Sequence, residues 1–153
     1  MNQQIEFPDR RQIEWWLNHL KSADPLLKLK LPHIDEKWYD DVCNIVMRLQ
    51  FPFMTKDLHA LAAHLFYNID KRHDVIDGNK RSSIVMVYLF YLVNGHLLLK
   101  SAKVKELAKK LASSRGHKRK DAWIAKISKK LEQNVVRIED YANKQEEFEK
   151  FDI

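Results

Sequence analysis

Residues 84–93, "IVMVYLFYLV", form the longest apolar stretch of the chain and decide its fold class. Because this stretch is about half the ~20 residues that a membrane-spanning helix needs, we expect no membrane span. A helix that is apolar on nearly every side is typical of a domain centre that other helices surround. The chain has only three Gly and four Pro, too few for the many turns of an all-β domain. The sequence therefore predicts an all-α fold around a buried central helix.

Apolar residues at helical spacing predict five more helices around the central one. The central helix is expected to run from Asn79 to Asn94, because the Asn94-Gly95 pair is a typical helix end. Residues 35–50 and residues 120–136 each have a clear apolar face and are expected to form helices. The remaining three helices are expected to follow capping residues, namely Asp9, Thr55 and Ser101.

The chain is predicted to form one domain over residues 1–143, followed by an acidic tail at residues 144–153. No repeat or low-complexity stretch divides it. The stretch "LLKLKL" between Pro25 and Pro32 alternates apolar and basic residues, which is compatible with a short β-hairpin.

Charge and cysteine content indicate the compartment and the partners. The single Cys43 cannot form a disulfide within the chain, which suits a reducing cytoplasm. The first residues are polar and lack the apolar core of a signal peptide, so we expect a cytoplasmic protein. The net charge is +6, and the only tight basic cluster is "RGHKRK" at residues 115–120. Because no zinc-finger or RNA-binding motif accompanies it, this cluster is interpreted as a solvated turn, and no nucleic-acid partner is expected.

The loop "RHDVIDGNKRSS" at residues 72–83 concentrates the polar chemistry of the chain. Asn79, Lys80, Arg81 and Ser82 would form the first turn of the central helix, whose free N–H groups favour an anion. The helix dipole alone would prefer acidic residues here, yet Lys80 and Arg81 add positive charge. This reversal indicates that a bound phosphate supplies the negative charge.

Three further residues of the loop complete a possible phosphoryl or nucleotidyl transfer site. His73 could accept a proton from an attacking hydroxyl group. Asp77 could hold Mg²⁺ against phosphate oxygens, because that ion commonly takes one or two carboxylates together with phosphates. Gly78 permits close approach of a ligand to the backbone. The alternative is that these polar residues only cap helices and solvate an ordinary loop.

The order of these residues, "HDVIDGNKR", resembles the signature H-x-F-x-D/E-G/A-N-G/K-R of the Fic/Doc (Fido) family. A following helix that ends in "NG" is also common in that family, and the wider resemblance runs from about Thr55 to Leu99. It implies a single-domain Fido-type helical bundle, in which the "LKLKL" stretch would be a flap that aligns the target by strand addition. His73 would be the general base and Asp77 the Mg²⁺ ligand. The residues implied to bind the phosphates of ATP are Gly78, Asn79, Lys80 and Arg81.

Three positions depart from the AMP-transferring members of the family. Val75 replaces the signature Phe, Lys80 replaces the usual Gly, and Ile84 stands where a second Arg usually clamps phosphate. The "NKR" form without a second Arg resembles the death-on-curing (Doc) branch. That branch implies a toxin that transfers the γ-phosphate of Mg-ATP to a hydroxyl of a target protein, a translation elongation factor, and that a small antitoxin restrains. Transfer of AMP to protein hydroxyls is the first alternative.

Two other functions stay open. His73-Asp74 is also the central dipeptide of HD-type metal phosphohydrolases, in which His59, His64, Asp121 and Asp140 could be further ligands. However, His59 and His64 are five residues apart, about 500° around a helix, so they do not share a face. The other possibility is a catalytically silent binding module, which Val75 and Lys80 would favour.

Several residues outside the loop are expected to have structural roles. Cys43 is expected to be a core thiol, and His64 a half-buried residue at the edge of the core. The pair Ser128 and Glu132 is weakly similar to the self-inhibitory helix of the Fic/Doc family, but a solvated helix face is favoured. The four tryptophans are expected to be packing residues, namely Trp15, Trp16, Trp38 and Trp123.

Overall fold

The computed structural model describes residues 4–26, 31, 34–50, 57–71, 79–99, 101–113 and 119–141, with only the backbone for residues 79, 80, 101, 112 and 113. Within these residues the chain is mostly helical, which confirms the predicted fold class, and a small antiparallel sheet is added. The elements are α1 (Arg10–Ala23), α2 (Glu36–Arg48), α3 (Leu58–Asp70), α4 (Asn79–Val93), β1 (His96–Leu98), α5 (Ser101–Ser113), α6 (Lys120–Gln133) and β2 (Val135–Arg137). The predicted hairpin flap lies largely outside the described residues, and the acidic tail lies wholly outside them.

Helix α1 begins where the sequence predicts, and α2 runs from Glu36 to Arg48, within the predicted range of residues 35–50. Asp9 caps α1 by accepting a hydrogen bond from the backbone N–H of Gln12, whose side chain in turn accepts one from the backbone N–H of Asp9. Asp35 caps α2 by accepting from the N–H of Trp38 at 2.9 Å. Arg10 then joins the two helices, because it donates to Asp40 at 2.8 Å and also to Glu36.

The cap of α3 is corrected by the structure. Asp57, not Thr55, precedes the helix, and its carboxylate accepts hydrogen bonds from the N–H groups of His59 and Ala60. Both residues have side chains that can cap a helix, and the two candidates lie only two positions apart in the sequence. Helical spacing alone does not distinguish them.

The last predicted helix is too long in its C-terminal part. Helix α6 ends at Gln133, and Val135 to Arg137 form β2, which pairs with β1 through Leu98 and Val135 at one end and His96 and Arg137 at the other. Asn134 separates helix and strand: its side chain donates to the carbonyl of Lys130, and its own carbonyl accepts from the N–H of Leu99. The β-branched pair Val135-Val136 favours a strand once such a partner is available.

Helix α4 is the centre of the core, as its apolar sequence predicts. Seven of its apolar side chains are 0–1% exposed, and the helix packs against both α3 and α5. Helix α3 lies between α4 and α6 and also contacts α2. These buried apolar residues of α4 are Ile84, Val85, Met86, Val87, Leu89, Phe90 and Tyr91.

The end of α4 is held by a turn and by the N-terminal segment. Gly95 adopts a φ of +78°, a left-handed conformation that favours glycine. Asn94 accepts from the N–H of Glu6 at 2.7 Å and donates back to its carbonyl at 2.9 Å. Phe7 then packs on Phe90, with ring centroids 5.9 Å apart. The N-terminal segment therefore covers the C-terminal part of the central helix.

The helix bundle has two distinct ends. Helices α3 and α4 pack side by side and are joined by a short connection, so the end of α3 lies near the start of α4; we call this the loop end. At the opposite end, the sheet end, His59 of α3 lies 2.8 Å from the hydroxyl of Tyr91 of α4, and β1 pairs with β2. The ammonium group of Lys120 lies 5.4 Å from the ring centroid of Tyr67, which puts the start of α6 at the loop end. In the described part of the chain, no helix is long and apolar enough to cross a membrane.

Candidate functional site

Of the predicted site residues, the structure describes Asn79, Lys80 and Arg81, which lie at the loop end. His73, Asp77 and Gly78 fall in residues 72–78, outside the described residues. Asn79 and Lys80 are the first two residues of α4, and their backbone alone is described. Arg81 follows in the same turn and is exposed. Two basic residues and no acidic residue therefore occupy the first turn of the central helix.

The first turn of α4 is anchored to α2 by a buried hydrogen bond. The indole Nε1 of Trp38 donates to the hydroxyl of Ser82 at 3.0 Å. Trp38 is 4% exposed and Ser82 is 1% exposed, so water does not compete for this bond. The same Trp38 has its backbone N–H fixed by the Asp35 cap. The candidate anion nest at Asn79 to Arg81 is therefore followed directly by a buried hydrogen bond at Ser82. The sequence did not reveal this bond.

The resemblance to the Fic/Doc family aligns Ile84 with the second arginine of AMP-transferring members. Its side chain is 0% exposed and belongs to the hydrophobic core. Arg81, one helical turn earlier, is exposed. The two positions therefore point into different surroundings, and no charged group is available at position 84 to clamp a phosphate.

A buried carboxylate marks the start of the candidate loop. Asp70, the last residue of α3, is 3% exposed and lies three positions before His73 in the sequence. Carboxylates are almost never fully buried unless they are paired. The burial of Asp70 could be predicted from the sequence, because Asp70 follows Phe66 by four positions and so lies on the buried face of α3. Asp70 therefore places a buried carboxylate at the end of α3, at the loop end.

Helix α6 adds positive charge to the loop end. Its N-cap is Arg119, whose side chain makes no capping hydrogen bond, and Lys120 follows in the first turn. Lys120 lies over the ring of Tyr67 in the last turn of α3, a favourable cation–π contact. Arg81, Arg119 and Lys120 are all exposed, so this end of the bundle presents cations from two different helices.

His64 lies near these cations and is biased toward its neutral form. It is half-buried on α3, as expected, and burial lowers its pKa below the ordinary value. The positive charge of Lys120 lowers the pKa further, whereas Asp121 acts in the opposite direction. His64 is therefore a neutral histidine close to the basic start of α6.

A second group of titratable residues lies at the sheet end. The Nδ1 atom of His59 shares a hydrogen bond with the hydroxyl of Tyr91, which is fully buried. Burial lowers the pKa of His59 and raises the pKa of Tyr91, so the pair is neutral over the physiological range. The negative charge of Glu132 acts on both groups, which puts the end of α6 beside them.

These positions bear on the HD-type metal site and on the possible self-inhibitory helix. His59 is engaged with Tyr91 at the sheet end, whereas His64 lies nearer the loop end, so one metal centre does not use both. Within the residues that the structure describes, no three His, Cys, Asp or Glu side chains are grouped to hold a metal ion. His73 and Asp74 of the HD dipeptide fall outside those residues. Glu132 lies at the sheet end, whereas Asn79 to Arg81 lie at the loop end, so its position does not suit a self-inhibitory glutamate.

The remaining predicted roles are mostly confirmed. Cys43 packs against the core, and burial raises the pKa of its thiol, as a structural cysteine requires. Trp38 and Trp123 are buried, and Trp16 is partly buried. The packing role is wrong for Trp15, which is 56% exposed and stacks on His19 with ring centroids 4.8 Å apart.

The chain matches no protein-family model, no characterised protein and no solved structure. The resemblance to the Fic/Doc family therefore rests on the signature residues and on the helix that follows them.

Proposed function

We propose that this protein is a Doc-like phosphotransferase that transfers the γ-phosphate of Mg-ATP to a hydroxyl group of a target protein. The observation that carries the proposal is the start of the buried helix α4 at Asn79, with Lys80 and Arg81 in its first turn and no acidic residue there. Such a turn offers free N–H groups and positive charge to an anion. Phosphate groups of ATP are the ligand that this chemistry suits.

His73 is proposed as the general base. It accepts the proton of the target hydroxyl as the oxygen attacks the γ-phosphorus. The bond between the γ-phosphorus and the β,γ-bridging oxygen breaks, and ADP leaves with the electron pair of that bond. Lys80, Arg81 and the first N–H groups of α4 stabilise the charge on the phosphoryl oxygens during transfer.

Asp77 is proposed as the one protein carboxylate of a magnesium site. A single carboxylate suits Mg²⁺, which is held mainly by substrate phosphates and water in nucleotide sites. When bound, the ion neutralises negative charge on the phosphate oxygens.

Buried Ile84 favours phosphate transfer over AMP transfer. A nucleotide bound for AMP transfer in this family uses two arginines, and position 84 supplies an apolar side chain to the core instead. A small antitoxin protein, expected from the resemblance, would restrain the activity, and the tail at residues 144–153 could cover the basic loop end in cis. Removal of residues 144–153 should then raise the transfer rate, whereas an unchanged rate would exclude the tail as an inhibitor.

The proposal is tested by separating ATP binding from transfer. Wild-type protein, His73→Ala and the control His19→Ala would each be titrated with Mg-ATP in a thermal-shift assay and then incubated with γ-labelled ATP and a cell extract. We expect ATP to raise the melting temperature of all three proteins. Label should reach a target protein with wild type and His19→Ala only.

Each other outcome has a clear meaning. Equal labelling by His73→Ala would remove His73 as the base. Absence of any thermal shift at millimolar Mg-ATP would favour a silent binding module over an enzyme. A transition metal that co-purifies with the protein in stoichiometric amount would favour the HD-type hydrolase.

A further inference from the structure

The positive charge of this chain is concentrated in one helical hairpin. Residues 101–133, which contain α5, α6 and their connection, include 11 Lys or Arg and three Asp or Glu, a net charge of +8. The whole chain has 27 basic and 21 acidic residues, so the remaining 120 residues hold 16 basic and 18 acidic ones, a net charge of −2. The entire basic excess of the protein therefore lies in this hairpin.

Among the basic residues of this hairpin that the structure describes, seven of nine are exposed. Helix α5 packs on α4, helix α6 packs on α3, and the two helices contact each other, so their solvent faces form one side of the bundle. We call this side the basic face and define it by its exposed lysines, which are Lys103, Lys109, Lys110, Lys120, Lys126 and Lys129. The positive charge of the two helices therefore extends well beyond the basic turn at residues 115–120.

Helices α5 and α6 carry eight lysines and three acidic residues, which are Glu106, Asp121 and Glu132. Lys105 and Lys109, and likewise Lys126 and Lys130, are like charges one helical turn apart, which is mildly destabilising. Helix α1 shows the usual arrangement, because its Arg10 is surrounded by acidic residues of α1 and α2. A bound polyanion would add negative charge to this basic excess.

We propose that the basic face binds the phosphate backbone of a nucleic-acid duplex. The two helices are 13 and 14 residues long, about 20 Å, which corresponds to roughly six base pairs of a duplex. Alanines at positions 102, 122 and 125 lie exposed among the lysines, so a regular backbone can approach the helices closely. This surface goes beyond the proposed phosphotransfer and does not depend on it.

A duplex fits this surface better than a single strand does. Proteins that bind single strands stack bases on exposed aromatic side chains. Among the described residues of α5 and α6 the one aromatic side chain is Trp123, which is 4% exposed and packs in the core. Lysines act as point charges toward phosphates, so the interaction is expected to follow charge and not base sequence.

The experiment is a titration of the full-length protein with a fluorescent duplex of about 24 base pairs and mixed sequence, from about 50 to 200 mM salt. We expect binding at low salt, with a slope of log K against log salt of about −4 to −5, as for roughly five phosphate contacts. The test variant carries Lys103→Glu, Lys109→Glu and Lys129→Glu. The control variant carries Arg11→Glu, Lys37→Glu and Arg48→Glu, which are exposed residues of α1 and α2.

The two variants have the same net charge. Comparing them therefore distinguishes binding by the basic face from attraction by the net charge of the protein. The basic-face variant should bind at least about tenfold more weakly with a shallower salt slope, whereas the control should stay within about threefold of wild type. Circular dichroism confirms the fold of each, and a Lys→Gln version of the basic-face triple replaces the Glu version if that one unfolds.

Three results would overturn the proposal. Equal loss of binding in both triple variants would mean that net charge alone attracts the duplex. No binding by wild type at the lowest salt would mean that the basic face is simply solvated. Stronger binding of a poly-glutamate peptide than of the duplex at equal salt would assign the surface to an acidic protein segment instead.

Discussion

The indole N–H of Trp38 donates a hydrogen bond to the hydroxyl of Ser82 at 3.0 Å, and both side chains are buried. This bond connects α2 with the first turn of α4, next to the residues that are proposed to bind phosphate. An anion site made of backbone N–H groups requires a fixed helix start, since the N–H directions follow the orientation of the helix. Trp38 and Ser82 provide a fixed point within three residues of Asn79.

Loss of either partner of this bond should destabilise the protein. Ser82→Ala leaves a buried indole N–H without its acceptor, which costs about 1–3 kcal/mol of unfolding free energy. Trp38→Phe removes the donor and part of the ring. Because both changes remove the same bond, the double variant should be more stable than the sum of the single effects by about 1 kcal/mol. Urea unfolding of the four proteins measures this coupling, and strictly additive effects would mean that the bond contributes nothing.

Position 84 should reject a charged side chain. Ile84→Arg would place a guanidinium group in the core, at a cost of more than ~4 kcal/mol, so the variant should be unfolded or aggregated. The matched change Ile84→Val should cost only about 0.5–1.5 kcal/mol and preserve the fold. Thermal unfolding compares the two. A folded Ile84→Arg protein that transfers AMP would show that position 84 faces the nucleotide.

Stability should fall in mildly acidic solution. Burial lowers the pKa of His59 below its ordinary value of 6.5, so the unfolded chain takes up a proton at this residue first as the pH decreases. The contribution of neutral His59 to stability is therefore complete above about pH 6.5 and is lost as the pH falls through the lowered pKa. We expect the unfolding free energy to drop between about pH 7 and 5, and to drop less in His59→Gln. An equally large reduction of the slope in His19→Gln, a change on the exposed face of α1, would contradict this assignment.

Replacement of Gly95, in the turn after α4, should destabilise the protein. Gly95 has a φ of +78°, and a Cβ atom added there would meet nothing within 4 Å, so any penalty comes from backbone conformation and not from a clash. Gly95→Ala should cost about 1 kcal/mol, and Gly95→Asn should cost less, because Asn adopts left-handed conformations more readily. Chemical unfolding of both variants tests the order, and equal costs would argue against a conformational origin.

The helical part of the fold could be predicted from the sequence because its signals are local. The unbroken apolar run around Val87 and Leu89 marks α4 as central, and the side chains of Asp9 and Asp35 mark the starts of α1 and α2. The choice between Thr55 and Asp57 as a cap could not be made, since both are acceptable by chemistry and their spacing differs by two residues.

The remaining features depend on contacts between distant parts of the chain. Strands β1 and β2 have three residues each and are about 40 residues apart in the sequence, so neither has a periodic pattern of its own. The bond from Trp38 to Ser82 spans 44 positions, and the contact of Lys120 with Tyr67 joins two helices. The residues from His73 to Arg81 show no periodic pattern. Their proposed role depends on the chemistry of the side chains and on the resemblance to the Fic/Doc family.

The most direct test of the central claim compares ATP labelled at the α-phosphate with ATP labelled at the γ-phosphate. Wild type and His73→Ala would be incubated with each nucleotide, Mg²⁺ and a cell extract, and labelled proteins would be separated by size. We predict a protein band labelled from the γ-phosphate, absent with the α-label and absent with His73→Ala. A band labelled from the α-phosphate would contradict phosphate transfer and make the protein a nucleotidyl transferase that works with Ile84 in the core.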